Sequence, residues 1–278
     1  MGNEYNLLVG ALMVFHEFCD KNSELEFTYD FHAKEYEKLK NRYRLEELVG
    51  NGSQIEKVIR LLKWCNQNVL HNGGTKDVEF IPKNSLAILD YSFGKGKAYG
   101  VYCRLQAIVF TECCLALGMK ARILHCLPYS PYDFDSHVVS MVYINELHKW
   151  IMVDPGNDRY FLDEKNVILS PLEVRERLGK RLFIKCNVEY ESYKQYMTKN
   201  LFYFKALQHN TFGSDMLETQ NTIYCIPKGF DVLGREIGYC RYAIEHVPEH
   251  LAEDWKAYLE ECLNKKQVTI FDINKFFE

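Results

Sequence analysis

Between Cys103 and Val153 the spacing of apolar residues changes period once, and no other feature of the chain constrains its folding as much. In CRLQAIVFTECCLAL, Leu105, Ile108, Val109, Cys113 and Ala116 recur at three- and four-residue steps. That spacing predicts a helix from Cys103 to Leu117, stopped by Gly118. KARILHCL, HVVSMVYI and KWIMV follow, rich in β-branched and apolar residues and separated by turn-forming stretches, and predict three strands.

Other segments are plainer. Residues 1 to about 75 read as helical. The apolar stretch from Leu7 to Phe18, punctuated by Glu17 and His16, predicts a buried amphipathic helix rather than a signal peptide. Ile55 to Leu70 carries Ile55, Val58, Ile59, Leu62, Cys65, Val69 and Leu70 on one stripe. Ser53 stands as its N-cap, and Asn72-Gly73-Gly74 ends it. Gly94, Gly96 and Gly100 form a loop-like approach to Cys103 that lets a substrate backbone come close. Beyond Asp154 the pattern predicts helices at Pro171–Leu178, around Tyr190–Lys205 and at Pro248–Leu263, with short strands in NTIYCIP and IGYCRYAI. No internal repeat or low-complexity tract is evident.

Composition removes several classes of function. The 34 basic and 38 acidic residues nearly cancel, so no long-range field gathers nucleic acid or a membrane surface. No run of about 18 apolar residues occurs. Gly2 lacks the Ser or Thr of a myristoylation pattern, and a cytoplasmic location is the expectation. Ten cysteines in 278 residues include no C-x-x-C pair, which argues against zinc ribbons and thioredoxin chemistry. Free Cys is most often a small core residue, so the question is whether one of the ten reacts.

Cys103 is the candidate nucleophile. A thiol opening a helix lies in the positive end of the helix dipole, among N–H groups that favour thiolate and can hold an oxyanion. Cys113 and Cys114, well inside the same helix, have no such field. His137 and Asp154 are linked by register. If HVVSMVYI and KWIMV form a hairpin through Glu146-Leu147, Asn145 faces His148 and Val139 faces Asp154. His137, two residues from Val139, then shares a face with Asp154 as its diagonal neighbour. Asp154 can take one ring nitrogen while the other meets the thiol.

The stretch from Gly100 to Pro155 resembles the core of transglutaminase-like domains. The matching pieces are Cys103 opening a helix, Leu117-Gly118 with Ala121-Arg122, His137 opening a strand, Trp150, and Asp154-Pro155. The resemblance spans roughly residues 55–178. It implies an α+β, papain-like or transglutaminase-like core in which the helix bearing Cys103 packs on an antiparallel sheet bearing His137 and Asp154. N-terminal helices would pack on that core and an α/β C-terminal extension would follow it. The expected divisions are 1–54 as an N-terminal helical region, 55–178 as the catalytic core and 179–278 as the extension. The resemblance differs at Val139, where the family carries an aromatic residue, and at Tyr102 before the nucleophile. Trp64 is an oxyanion-hole candidate only by spacing, and a core aromatic by its place on a helix face.

With Cys103, His137 and Asp154 as its triad, the resemblance implies acyl transfer or amide hydrolysis through a thioester, with no metal or organic cofactor, on a peptide, protein or other amide substrate. Two alternatives differ in kind. A catalytically idle transglutaminase-like scaffold would use the C-terminal segment for binding; Phe202, Tyr203 and Phe204 could mark such a surface, although core packing is the favoured explanation for them. An arylamine N-acetyltransferase-like enzyme would use the same residue types, but Ala98-Tyr99-Gly100-Val101-Tyr102 lacks the Arg-Gly-Gly approach expected there.

Overall fold

A computed structural model of the chain describes residues 2–22, 24–72, 81–95, 100–133, 135–188, 191–214, 222–246, 252–264 and 268–278. Its helices are α1 (Gly2–Val14), α2 (Lys34–Tyr43), α3 (Leu45–Val49), α4 (Gln54–Asn68), α5 (Ser85–Lys95), α6 (Cys103–Ala116), α7 (Pro171–Gly179), α8 (Glu191–Asn200), α9 (Val232–His246), α10 (Ala252–Leu263) and α11 (Ile273–Phe276). Strands are β1 (Thr28–Tyr29), β2 (Ala121–Leu127), β3 (His137–Ile144), β4 (Lys149–Val153), β5 (Phe161–Leu162), β6 (Lys185–Cys186), β7 (Tyr203–Leu207), β8 (His209–Asn210), β9 (Thr222–Cys225) and β10 (Thr269–Ile270).

The three strands predicted after Cys103 form, and they form the middle and one end of a six-stranded sheet ordered β10-β9-β7-β2-β3-β4. Every pairing in it is antiparallel except β9 with β10. The class is α+β. Alternation along the strands sends Ile123, Val138, Val142, Ile151 and Val153 into a core with α2 to α6. Leu124, Cys126, Val139, Met141, Trp150 and Met152 enter a second core with α1, α7, α8 and the C-terminal Phe271 and Phe276.

Helix α6 lies across one face of the sheet, fastened by Thr111 and Ser140, whose hydroxyls are 3.1 Å apart. Its whole circumference from Arg104 to Ala116 is buried, rather than the single stripe the spacing predicts. The reason is position: the sheet covers one side and α2, α4 and α5 cover the rest. Gly118 ends it as expected, at φ +73°, where a side chain would be strained.

The β3–β4 register is the predicted one, with Ile144 opposite Lys149 and Ser140 opposite Val153. The turn itself is wider than a two-residue link: a 3₁₀ turn at Asn145–Leu147 and His148 at φ +49°. Gln54 at the start of α4 anchors it, donating to Tyr143 O at 2.7 Å and accepting from Asn145 N at 3.0 Å.

Four expectations are corrected. The approach to Cys103 is helical as far as Lys95, because Asn84 caps α5 by accepting from Ala87 N. The segment expected as one helix to Lys205 stops at Asn200 and becomes β7; Phe202, Tyr203 and Phe204 are buried in the sheet core, as the core reading of them expects. IGYCRYAI is not a strand but the body of α9. Helix α1 ends at Val14 and buries only Val9 and Leu12, leaving Leu7, Met13 and Val14 exposed. The expected roles of Gly73, Gly74, Gly96 and Pro248 fall outside the described residues.

Candidate active site

Cys103 is the first residue of α6, and Tyr102 before it supplies no capping side chain. The helix therefore points its positive end at the thiol. His137 is the first residue of β3, and Asp154 follows the last residue of β4. Register carries these two together: His137 Nε2 and Asp154 Oδ2 are 2.6 Å apart, both side chains buried. The other imidazole nitrogen, Nδ1, is left to face the sulfur of Cys103, which is hydrogen-bonded to His137.

The carboxylate is held on all sides. Oδ1 accepts from Gly156 N at 2.9 Å and Asn157 N at 3.2 Å. Oδ2 accepts from Asn157 Nδ2 and the Tyr193 hydroxyl, each at 2.8 Å, besides His137. Burial alone would raise this carboxyl's pKa, but the His137 cation and these donors hold it below the usual range. Burial alone would likewise discharge the imidazole; the Asp154 charge and its hydrogen bond, with Cys103 behind it, instead push His137 up to about 10.

At Cys103, burial raises the thiol. Hydrogen bonds from His137 and His71, the charge on His137 and the Val138 N–H outweigh it and bring the group down to about 6. Near neutral pH the two partners form a thiolate–imidazolium pair. The other cysteines differ in the expected sense: burial drives Cys114, Cys126 and Cys225 well above the ordinary thiol value, and at Cys113 the hydrogen bond its thiol makes to Cys65 comes first, with burial next.

Two features escape the sequence reading. His71 hydrogen-bonds the Cys103 sulfur from the segment after α4. It is put there by backbone pairing: Val101 N donates to Leu70 O at 2.8 Å and Asn72 N to Val101 O at 2.9 Å. Gly100 is what permits this approach, because a Cβ there would lie 2.6 Å from Asn72 Cβ and 2.8 Å from Asn72 N. The glycine makes room for the chain's own backbone. The second feature is α8. Tyr196 sets its ring edge-on to His137, centroids 5.2 Å apart, and its hydroxyl donates to Asp135 at 3.1 Å. Lys199 ties the same loop through Asp133 and Asp135. Trp64 takes no part; it packs against Tyr43 at 5.8 Å on the far core. Among the described residues no group of three or more His, Cys, Asp or Glu could hold a metal ion.

A helix-borne thiol facing a strand-borne imidazole and carboxylate is the arrangement of a papain-like thiol centre. Residues 43–155 match the model of the Transglutaminase-like superfamily. Comparison with curated proteins gives no match. Among solved structures, a candidate cysteine protease from Cytophaga hutchinsonii aligns at 16% identity and TM-score 0.34, over 58% of this chain and 56% of that one. A candidate protease from Parabacteroides distasonis aligns at 12% identity and TM-score 0.29, over 59% of this chain and 30% of that one. The chain thus spans about half of the first and under a third of the second.

Proposed function

We propose that the chain is a thiol enzyme that cleaves or transfers the acyl group of an amide, with Cys103 as nucleophile, His137 as acid and base, and Asp154 as the group that orients His137. The observation that carries this reading is the continuous line from the Cys103 sulfur through the His137 ring to Asp154, with the 2.6 Å contact at its inner end. The thiolate attacks the carbonyl carbon, and the π pair moves onto oxygen. First-turn N–H groups of α6 receive that oxyanion, with the His71 ring beside them. The tetrahedral intermediate expels the amine, which takes the proton from His137, and a thioester remains on Cys103. Neutral His137 then draws a proton from the acceptor, which attacks the thioester and restores the thiolate.

A peptide or protein amide is the substrate class favoured here, in keeping with the two solved structures described as candidate proteases. All ten cysteines are free of disulfides, which suits a reducing compartment such as the cytoplasm. No helix among the described residues is long and apolar enough to cross a membrane.

Alkylation by iodoacetamide over a pH series tests the reading. Cys103 is expected to react ahead of the other nine cysteines, with a rate that rises through about pH 6 and holds toward about pH 10. His137→Ala returns the thiol to at least its ordinary value, leaving about one thiolate in a hundred at neutral pH and slowing alkylation roughly 100-fold. A chain with no fast cysteine is the idle scaffold.

A further inference from the structure

Most of what grips Asp154 comes from the adjoining strand and turn: His137 on the neighbouring strand, Gly156 and Asn157 in the turn just after. Tyr193 does not. It comes from α8, beyond the matched stretch 43–155, and its hydroxyl donates to the same oxygen, Oδ2, that meets His137. Its ring is buried and stacked on Phe161, centroids 5.5 Å apart and 17° between planes. Burial, and then the Asp154 charge, hold the phenol well above its ordinary value, so it stays a donor throughout the working range.

We propose that Tyr193 is a positioning residue of the triad, which holds Oδ2 toward His137 and takes up part of its charge so that the imidazolium can release its proton. This rests on the thiol-enzyme reading above. A donor to a carboxylate stabilises the anion whether or not its neighbour is protonated, so each one weakens the pull on the neighbouring cation. Three donors share Oδ2. An imidazolium held by an unshared carboxylate would be a poor acid toward the leaving amine and would remain charged when a neutral base is needed, since proton transfer is most effective near the operating pH. The hydroxyl of α8 therefore acts as a tuning contact, supplied by the part of the chain that follows the family core.

Tyr193→Phe keeps the ring and its stack and removes the donor. Two profiles read the result: alkylation of Cys103 by iodoacetamide, and turnover of p-nitrophenyl acetate, whose deacylation needs neutral His137. The expected outcome is a lower limb of alkylation moved down, and a deacylation limb moved up, each by roughly half a pH unit. The other ionisable groups facing the pair are unchanged in the variant: His71 at the sulfur, Tyr196 and Asp135 over the ring, His125 on β2, which burial keeps neutral, and Cys126 and Cys186, whose thiols burial keeps protonated. Replacing Tyr193 by 3-fluorotyrosine, a stronger donor, moves both limbs the opposite way, and carries the test by itself if the Phe variant does not fold. Limbs that stay where they are in both variants, or that move in the reverse sense, overturn the role of Tyr193. A wild-type chain with no fast cysteine overturns the thiol-enzyme reading instead, so the two failures are distinct.

Discussion

At the scale of single residues, Cys103, His137 and Asp154 are legible in the sequence because each sits at the end of an element whose period is plain. Strand counting then fixes which side chains share a face. His71 is not legible, since what places it is a backbone pairing between residues about thirty positions apart. Gly100 stands out in the sequence, but its role is set by the fold: the missing Cβ accommodates residues 71 and 72 rather than a substrate. Gly100→Ala would set a Cβ against backbone at 2.8 Å, and the segment carrying His71 must give way. The expected result is a folded protein destabilised by about 1–3 kcal/mol. Its Cys103 alkylation midpoint should rise by about one pH unit as the His71 hydrogen bond is lost. An unmoved midpoint in the iodoacetamide profile would show that His71 contributes nothing to the thiolate.

At the scale of elements, caps are the dependable signals and composition the treacherous one. Ser53 caps α4 in a full capping box with Glu56, and Ser170 does the same for α7 with Glu173. Ser53→Ala should cost about 1 kcal/mol, seen as a lower urea midpoint with an unchanged slope. The alkylation profile should stay put, because the cap lies at the end of α4 away from His71. Helix α9 reads as a strand from Ile237 onward, inside the helix, because β-formers are dense there. Its true start is marked by Asp231, which accepts from Gly234 N at 2.9 Å. Val232, Arg235, Cys240 and Ala243 then keep helical spacing on the buried face. At β7 the reverse holds: the helical pattern runs on into aromatics that pair with β2 and β9 instead.

At the scale of the molecule, one buried carboxylate ties distant parts together. Glu112 in α6 accepts from Ser85 N at the start of α5 and from Gly213 N in the loop after β8, at 2.8 and 2.9 Å. Burial pushes its pKa up from 4.5 to about 7 despite these donors. The folded state thus holds this proton more tightly than the unfolded one. Its contribution is complete below the ordinary carboxyl value and is lost as pH rises through about 7. Urea unfolding should show stability falling by roughly 3 kcal/mol from about pH 4.5 to neutrality on this account. Glu112→Gln should flatten that slope; an equally steep slope in the variant would assign it to other groups.

Local order along the chain determined the helix opened by Cys103, the three strands after it, their register, and hence that His137 and Asp154 meet. All of these follow from periods of two and 3.6 residues and from a short hairpin, which operate over a few positions. The tertiary structure alone decided that His71 joins the sulfur, that α8 brings Tyr193 and Tyr196 onto the carboxylate and the ring, and that β7 and β9 complete the sheet beside β2. Those contacts join segments tens of residues apart, and no local period records which buried surfaces will cover one another.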